Sequence, residues 1–166
     1  MNKTREIALI AILAVIIAIS GSLKIPSPFP GTEFQLSAPL AVAIAACFGF
    51  TRYILAGLVA SLLTLLLGTH TFINVLIAMT FRLVAGGTIA LFGPRFWVVC
   101  LAGPLGSTAA RIVVWLLLGK GLLPMLVASL PGMLFTVLTS WPLTKVLTRI
   151  KNNTSWRDVP YAEKTV

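Results

Sequence analysis

Apolar residues run along this chain in long blocks, separated by short polar breaks or by breaks rich in glycine and proline. A helix that crosses a membrane needs about 20 apolar residues in succession, with a range of about 17 to 25. On that measure the blocks predict six spans, at about residues 4–23, 36–50, 53–68, 71–92, 96–118 and 122–150. The second and third are short and parted only by Thr51 and Arg52, which predicts a tight helical hairpin or one slanted segment. The sixth is long and is interrupted by Pro131-Gly132 and Pro142. Proline inside a helix removes a backbone donor and crowds the preceding turn, so a kink or an early end is expected there. Between the first two spans lies KIPSPFPGTEFQ, residues 24–35, whose three prolines and glycine exclude a helix and favour an extended, stiff course. A plain connector needs only a few residues, so this segment is a candidate lid. There is no internal repeat, and the other loops leave no room for a soluble domain. The expected fold is therefore all-α: a compact bundle of about six transmembrane helices over residues 1–150, followed by a tail, 151–166.

Composition supports that pattern. Of the 166 residues 58% are hydrophobic and only 10% charged, and the mean hydropathy is +1.00. A soluble domain carries about 25% charged residues. A chain this short has too little interior to hide the excess of apolar side chains, so lipid must cover it. The run from Ile7 to Ile19 is short enough to resemble a cleaved leader. It lacks a clear A-x-A site and is followed by further apolar blocks, so it is expected to persist as the first helix.

The net charge of +9 raises the question of nucleic acid, but the basic residues lie between apolar blocks and in the tail rather than along one helix face. They follow membrane topology instead, because lysine and arginine concentrate in cytoplasmic loops. With the N-terminus inside, nine loop and terminal basic residues are cytoplasmic: Lys3, Arg5, Arg52, Arg95, Lys145, Arg149, Lys151, Arg157 and Lys164. Only Lys24 and Lys120 fall outside. Both termini are thus expected in the cytoplasm, with the chain a multi-pass protein of the inner membrane and no nucleic acid among its partners.

Polar residues within a membrane are costly and call for a reason. Arg82 lies midway along the fourth span and Arg111 in the outer third of the fifth, and no acid accompanies them there. The four acids are Glu6, Glu33, Asp158 and Glu163, of which only Glu33 falls outside, in the long loop. Each arginine either ties helices together through backbone carbonyls or binds an anionic ligand, whose carboxylate a guanidinium grips with two hydrogen bonds. Asn74, Ala78 and Arg82 share one face of the fourth span, with His70 above them. Ser107, Thr108, Arg111 and Trp115 form a stripe on the fifth, and Met125, Ser129 and Thr136 mark the sixth near Pro131. These stripes are expected to converge on a pocket near the outer surface. Trp115 either stacks on a ligand ring or anchors the headgroup interface, and His70 reads best as a loop residue without special role.

Nothing in the chain suggests catalysis or a cofactor. There is no Ser-His-Asp set, no His-Glu-x-x-His and no phosphate-cradling glycine loop. Cys47 and Cys100 lie in apolar surroundings without metal-site spacing and read as small buried hydrophobes. Energy for transport would have to come from an ion gradient or another subunit. In the first span, Ala8, Ala11, Ala14 and Ala18 thin the side chains, and Ala14-x-x-x-Ala18 is a small-xxx-small element that permits close helix approach. That approach serves either internal packing or docking on a membrane partner.

Together, six short helices, cytoplasmic termini, an alanine-rich first helix with A-x-x-x-A and a proline-containing outer loop resemble the S components of energy-coupling factor (ECF) transporters. The stretch IPSPFPGTEFQLSAPLAVAIAACFGFTRYILAG resembles their first outer loop and second and third helices. It is similar to biotin-type members in its proline, glycine and a glutamine before an apolar helix. The resemblance spans about 150 residues and implies a subunit that captures a vitamin-like small molecule outside, using the outer loops and the outer halves of helices four to six. It further implies docking, through Ala14 and Ala18, on a transmembrane coupling subunit that carries two ATPases. Glu33, Asn74, Arg111 and Trp115 would then fall in or near the binding region. The histidine-bearing N-terminus of the nickel and cobalt members is missing, so a metal substrate is not expected. Two intramembrane arginines favour a carboxylate, a description that biotin, pantothenate, niacin, lipoate and tryptophan all meet. The competing readings are a stand-alone oligomeric carrier or channel for a small anion, and an assembly protein without a ligand.

Overall fold

A computed structural model describes residues 3–22, 24–26, 33–119, 121–154, 156 and 159; side chains of the two short strands are outside that description. Six helices follow in order: α1 (Lys3–Ser22), α2 (Ser37–Phe48), α3 (Phe50–Leu66), α4 (Phe72–Phe92), α5 (Phe96–Leu118) and α6 (Leu122–Asn152). The all-α bundle expected from the sequence is present. Four helices, α1, α4, α5 and α6, are long and apolar enough to cross a membrane, while α2 and α3 are shorter.

The short helices are explained by their position. α2 packs against all five others and lies at the centre of the bundle. Every residue from Ala41 to Phe48 is buried. A helix that is apolar on every side belongs in an interior, and the alanines at 41, 43, 45 and 46 let the surrounding helices close in on it. Around it stand α1, α3, α4, α5 and α6, each in contact with the next in that order. The hairpin expected between the second and third spans turns on Gly49, whose φ of 86° suits a residue without a Cβ.

Pro131 and Pro142 do not end α6. The helix runs unbroken for 31 residues through both, and α5 likewise contains Pro104. Hydroxyls line this stretch: Thr136, Ser140 and Thr144 each donate to the carbonyl four residues back, at 2.6–2.8 Å. These hydroxyls are thereby satisfied within the helix, as an apolar setting requires.

The ends of the long loop are extended as expected. They form β1 (Lys24–Pro26) and β2 (Glu33–Gln35), antiparallel, with Ile25 opposite Phe34. The middle of the candidate lid, 27–32, lies outside the described residues, as do Lys120, Arg157 and Lys164 of the topology argument.

At the end of the bundle where α1 begins and α6 ends, two basic side chains have structural partners. Arg52 Nε lies 3.3 Å from Glu6 Oε1, linking α3 to α1. Lys151 is 1% exposed and donates from Nζ to the Cys47 carbonyl at 2.8 Å, with the Phe48 ring beneath it at 5.7 Å. Val159 is also buried against the core. Lys151 and Val159, within the segment expected as a cytoplasmic tail, thus pack against the body of the bundle.

Candidate functional site

At the opposite end of the bundle a cavity of about 530 Å³ opens among α1 to α5. Its wall contains both intramembrane arginines, Arg82 and Arg111, together with Asn74, His70 and Ser107. The two faces of α4 and α5 picked out by helical spacing thus meet around one space.

The arginines are held differently. Arg82 is 8% exposed. Its Nη1 donates to the Gly57 carbonyl at 2.8 Å and to the Ser61 hydroxyl at 2.6 Å, so α4 is fastened to α3. Gly57 is obligatory for this contact, because a Cβ there would lie 2.5 Å from Arg82 Cδ. Both readings of Arg82 keep a structural basis: it ties helices through a backbone carbonyl, and it walls the cavity. Arg111 is half-buried and makes no hydrogen bond or ion pair with a described residue. Among the described residues no carboxylate lines the cavity. A desolvated guanidinium keeps strong attraction for an anion, and a planar carboxylate is its best geometric match.

The mouth is shaped by the turn from α3 to α4. The Thr64 carbonyl accepts from the backbone N–H of Thr69 and of His70 and from the Thr69 hydroxyl, at 3.1, 3.2 and 2.9 Å. This closes the end of α3 and holds His70 over the opening. Thr71 then caps α4 by accepting from the Asn74 N–H at 3.4 Å, which fixes where Asn74 starts its face. On α5, Gly106 lets the helix approach α4 closely: a Cβ would meet the Phe81 carbonyl oxygen at 3.0 Å. That approach brings Ser107 and Arg111 to face Arg82.

Other expected site residues are elsewhere. Trp115, one turn beyond Arg111, is 40% exposed and does not line the cavity. Ser129 is buried on α6, donating to the Leu126 carbonyl at 2.8 Å, and α6 contributes nothing to the wall. Thr136 packs against Gly103 of α5 instead. The Glu33 side chain lies outside the described residues; its backbone pairs with Pro26. Ala14, 1% exposed, is in the core, and Ala18 lines the cavity, so both face inward. The outward face of α1 carries Ala8, Ala11, Ile12, Val15 and Ile19.

The sequence reading missed the walls given by α1, α2 and α3, where Gly21, Ser37, Ala41 and Thr64 line the space. Their signal was smallness rather than charge. A run of small side chains on neighbouring helices leaves a void as readily as it makes a close contact.

No protein-family model matches the chain. It is 48% identical over 145 residues to Protein BioX of Lysinibacillus sphaericus, covering 87% of each chain. Its fold is similar to the crystal structure of the S component for biotin from an ECF-type ABC transporter, with a TM-score of 0.70 at 14% identity. That similarity covers 96% of this chain and 98% of the other.

Proposed function

The chain belongs to the BioX family and has the fold of an S component of an energy-coupling factor transporter, and we propose that it captures a small carboxylate-bearing molecule for import. It is a transport subunit rather than an enzyme. The observation that carries this reading is Arg111: a cation without a partner among the described residues, facing a cavity whose described wall holds no acid. A ligand carboxylate supplies the missing charge. The cavity is large enough for a vitamin-sized molecule, since small-ligand pockets measure about 300–1,000 Å³. Biotin, the ligand named for the structural neighbour, is one such carboxylate and the first compound to test.

In this proposal the cavity opens to the outside of the inner membrane and both chain ends are cytoplasmic, in keeping with the distribution of lysine and arginine. Asn74, Arg82, Ser107 and Arg111 contact the ligand, and Glu33 approaches from the long loop. Ser129 and Trp115 support the site from outside its wall. The subunit docks on a transmembrane coupling protein with two ATPases, with α1 as the contact helix.

A stand-alone carrier or channel for small anions is the second reading. It needs a polar path through the whole bundle. Beyond the cavity the core is instead closed by Val42, Ile44, Ile89 and Val99, all without exposed surface.

The test is to purify the protein and identify any bound metabolite by mass spectrometry, then to measure thermal shifts with a panel of carboxylate vitamins. A co-purified carboxylate, or a shift with one panel member, is expected. No bound metabolite and no shift across the panel would remove the support for ligand capture.

A further inference from the structure

A second cavity, of about 490 Å³, opens at the end of the bundle remote from the ligand site, between α2, α6 and the turn from α4 to α5. Its wall includes Pro94, Trp141, Lys145, Thr148, Arg149 and Asn153, and no carboxylate among the described residues. Lys145 and Arg149 are four residues apart and so project from one face of α6. Both are exposed, and neither forms an ion pair with a described residue. Like charges at this spacing repel, which disfavours the helix unless an anion lies between them. Lys145 Nζ is held 5.6 Å from the centre of the Trp141 ring.

The surroundings say where that anion comes from. Trp141 meets Phe96 edge to face at 5.2 Å, and Phe96 meets Trp97 in the same way at 5.1 Å. Aromatic groups of this kind collect at the depth of lipid headgroups. Next to the cavity, Phe92, Trp97 and Val146 are exposed and apolar, suited to hydrocarbon rather than water. A phosphate group at the basic pair would thus have acyl chains running beside it along the bundle.

We infer that this cavity is a binding site for the phosphate of an anionic phospholipid, clasped by Lys145 and Arg149 with Trp141 beneath the headgroup.

The experiment uses full-length protein in detergent micelles, supplied with phosphatidylglycerol or phosphatidylcholine and examined by native mass spectrometry. Wild type is expected to retain phosphatidylglycerol selectively. K145Q/R149Q should lose about tenfold or more of that retention, the scale of two basic residues near a headgroup. K3Q/R5Q, which removes two charges at the same end away from the cavity, should retain the lipid. If the double variant aggregates, R149Q alone should lose about fivefold. Equal retention of the two lipids by wild type overturns the proposal whatever the variants do. So does unchanged retention in K145Q/R149Q, or in R149Q where that variant stands in; coupled with lost assembly with coupling subunits, it would make the cavity a protein interface. Inorganic phosphate is the last arm: displacement of the lipid by it at equal concentration would identify a free-phosphate site and overturn the lipid assignment.

Discussion

Arg82 Nη1 and the Ser61 hydroxyl lie 2.6 Å apart, joining the middle of α4 to α3 beside the wall of the ligand cavity. The same nitrogen reaches the Gly57 carbonyl, so removing the side chain would take a charged donor from two buried acceptors at once. Arg82→Ala is expected to destabilise the fold by about 1.5–3 kcal/mol for the lost charged hydrogen bonds. Thermal unfolding of purified protein checks this, and an unchanged melting temperature would contradict the tie. Gly57→Val should be at least as damaging, because its Cβ collides with Arg82.

Arg111 should separate from Arg82 in the same assays. It has no described partner to lose, so Arg111→Ala is expected to leave the melting temperature of the empty protein unchanged. Ligand affinity should fall by more than about 2 kcal/mol, the scale of a charge-assisted hydrogen bond left unmade. Calorimetry with the co-purified metabolite measures it; unaltered affinity would take Arg111 out of the site.

These two residues also show how far the sequence was legible. Both were conspicuous as charges inside apolar spans, and helical spacing placed Asn74 and Ser107 beside them correctly. The partner of Arg82 was not legible, because a backbone carbonyl and a serine twenty-one positions away leave no pattern. All six spans begin and end within about three residues of the observed helices, since apolar length is written directly in the chain. That α2 is central was hidden: lipid and protein interior make the same demand for apolar side chains. The expected contribution of α6 to the pocket failed for a related reason. Ser129 and Thr136 are satisfied within or beside their own helix, and a hydroxyl at a proline kink looks the same from sequence whether it faces a ligand or a backbone carbonyl.

The two alanine positions on α1 predict opposite results. Ala14 is in the core, so Ala14→Trp is expected to unfold the protein or abolish ligand binding through overpacking. Ala11 is on the outward face. Ala11→Trp should leave ligand affinity intact and impair uptake by cells that express the coupling subunits. Uptake at the wild-type rate would remove this face of α1 from the docking surface.

Lys151 supplies a test of the far end. Replacing it by methionine retains much of its volume but deprives the Cys47 carbonyl of its donor. A loss of about 1–3 kcal/mol in stability is expected, with ligand affinity unchanged because the cavity lies at the other end. Equal effects on both would show that the ends of the bundle are coupled through α2.

The unbroken course of α6 makes membrane thickness a variable for this protein. At about 1.5 Å per residue, its 31 residues measure about 46 Å, against about 30 Å of hydrocarbon. The surplus must be met by leaning or by standing clear of the lipid, at a cost of fractions of a kcal/mol for each ångström of mismatch. Since Lys151 pins the far end of α6 to the central helix, a thinner bilayer would tilt the whole bundle rather than this helix alone, and the angle at which the ligand cavity meets the water would change with it.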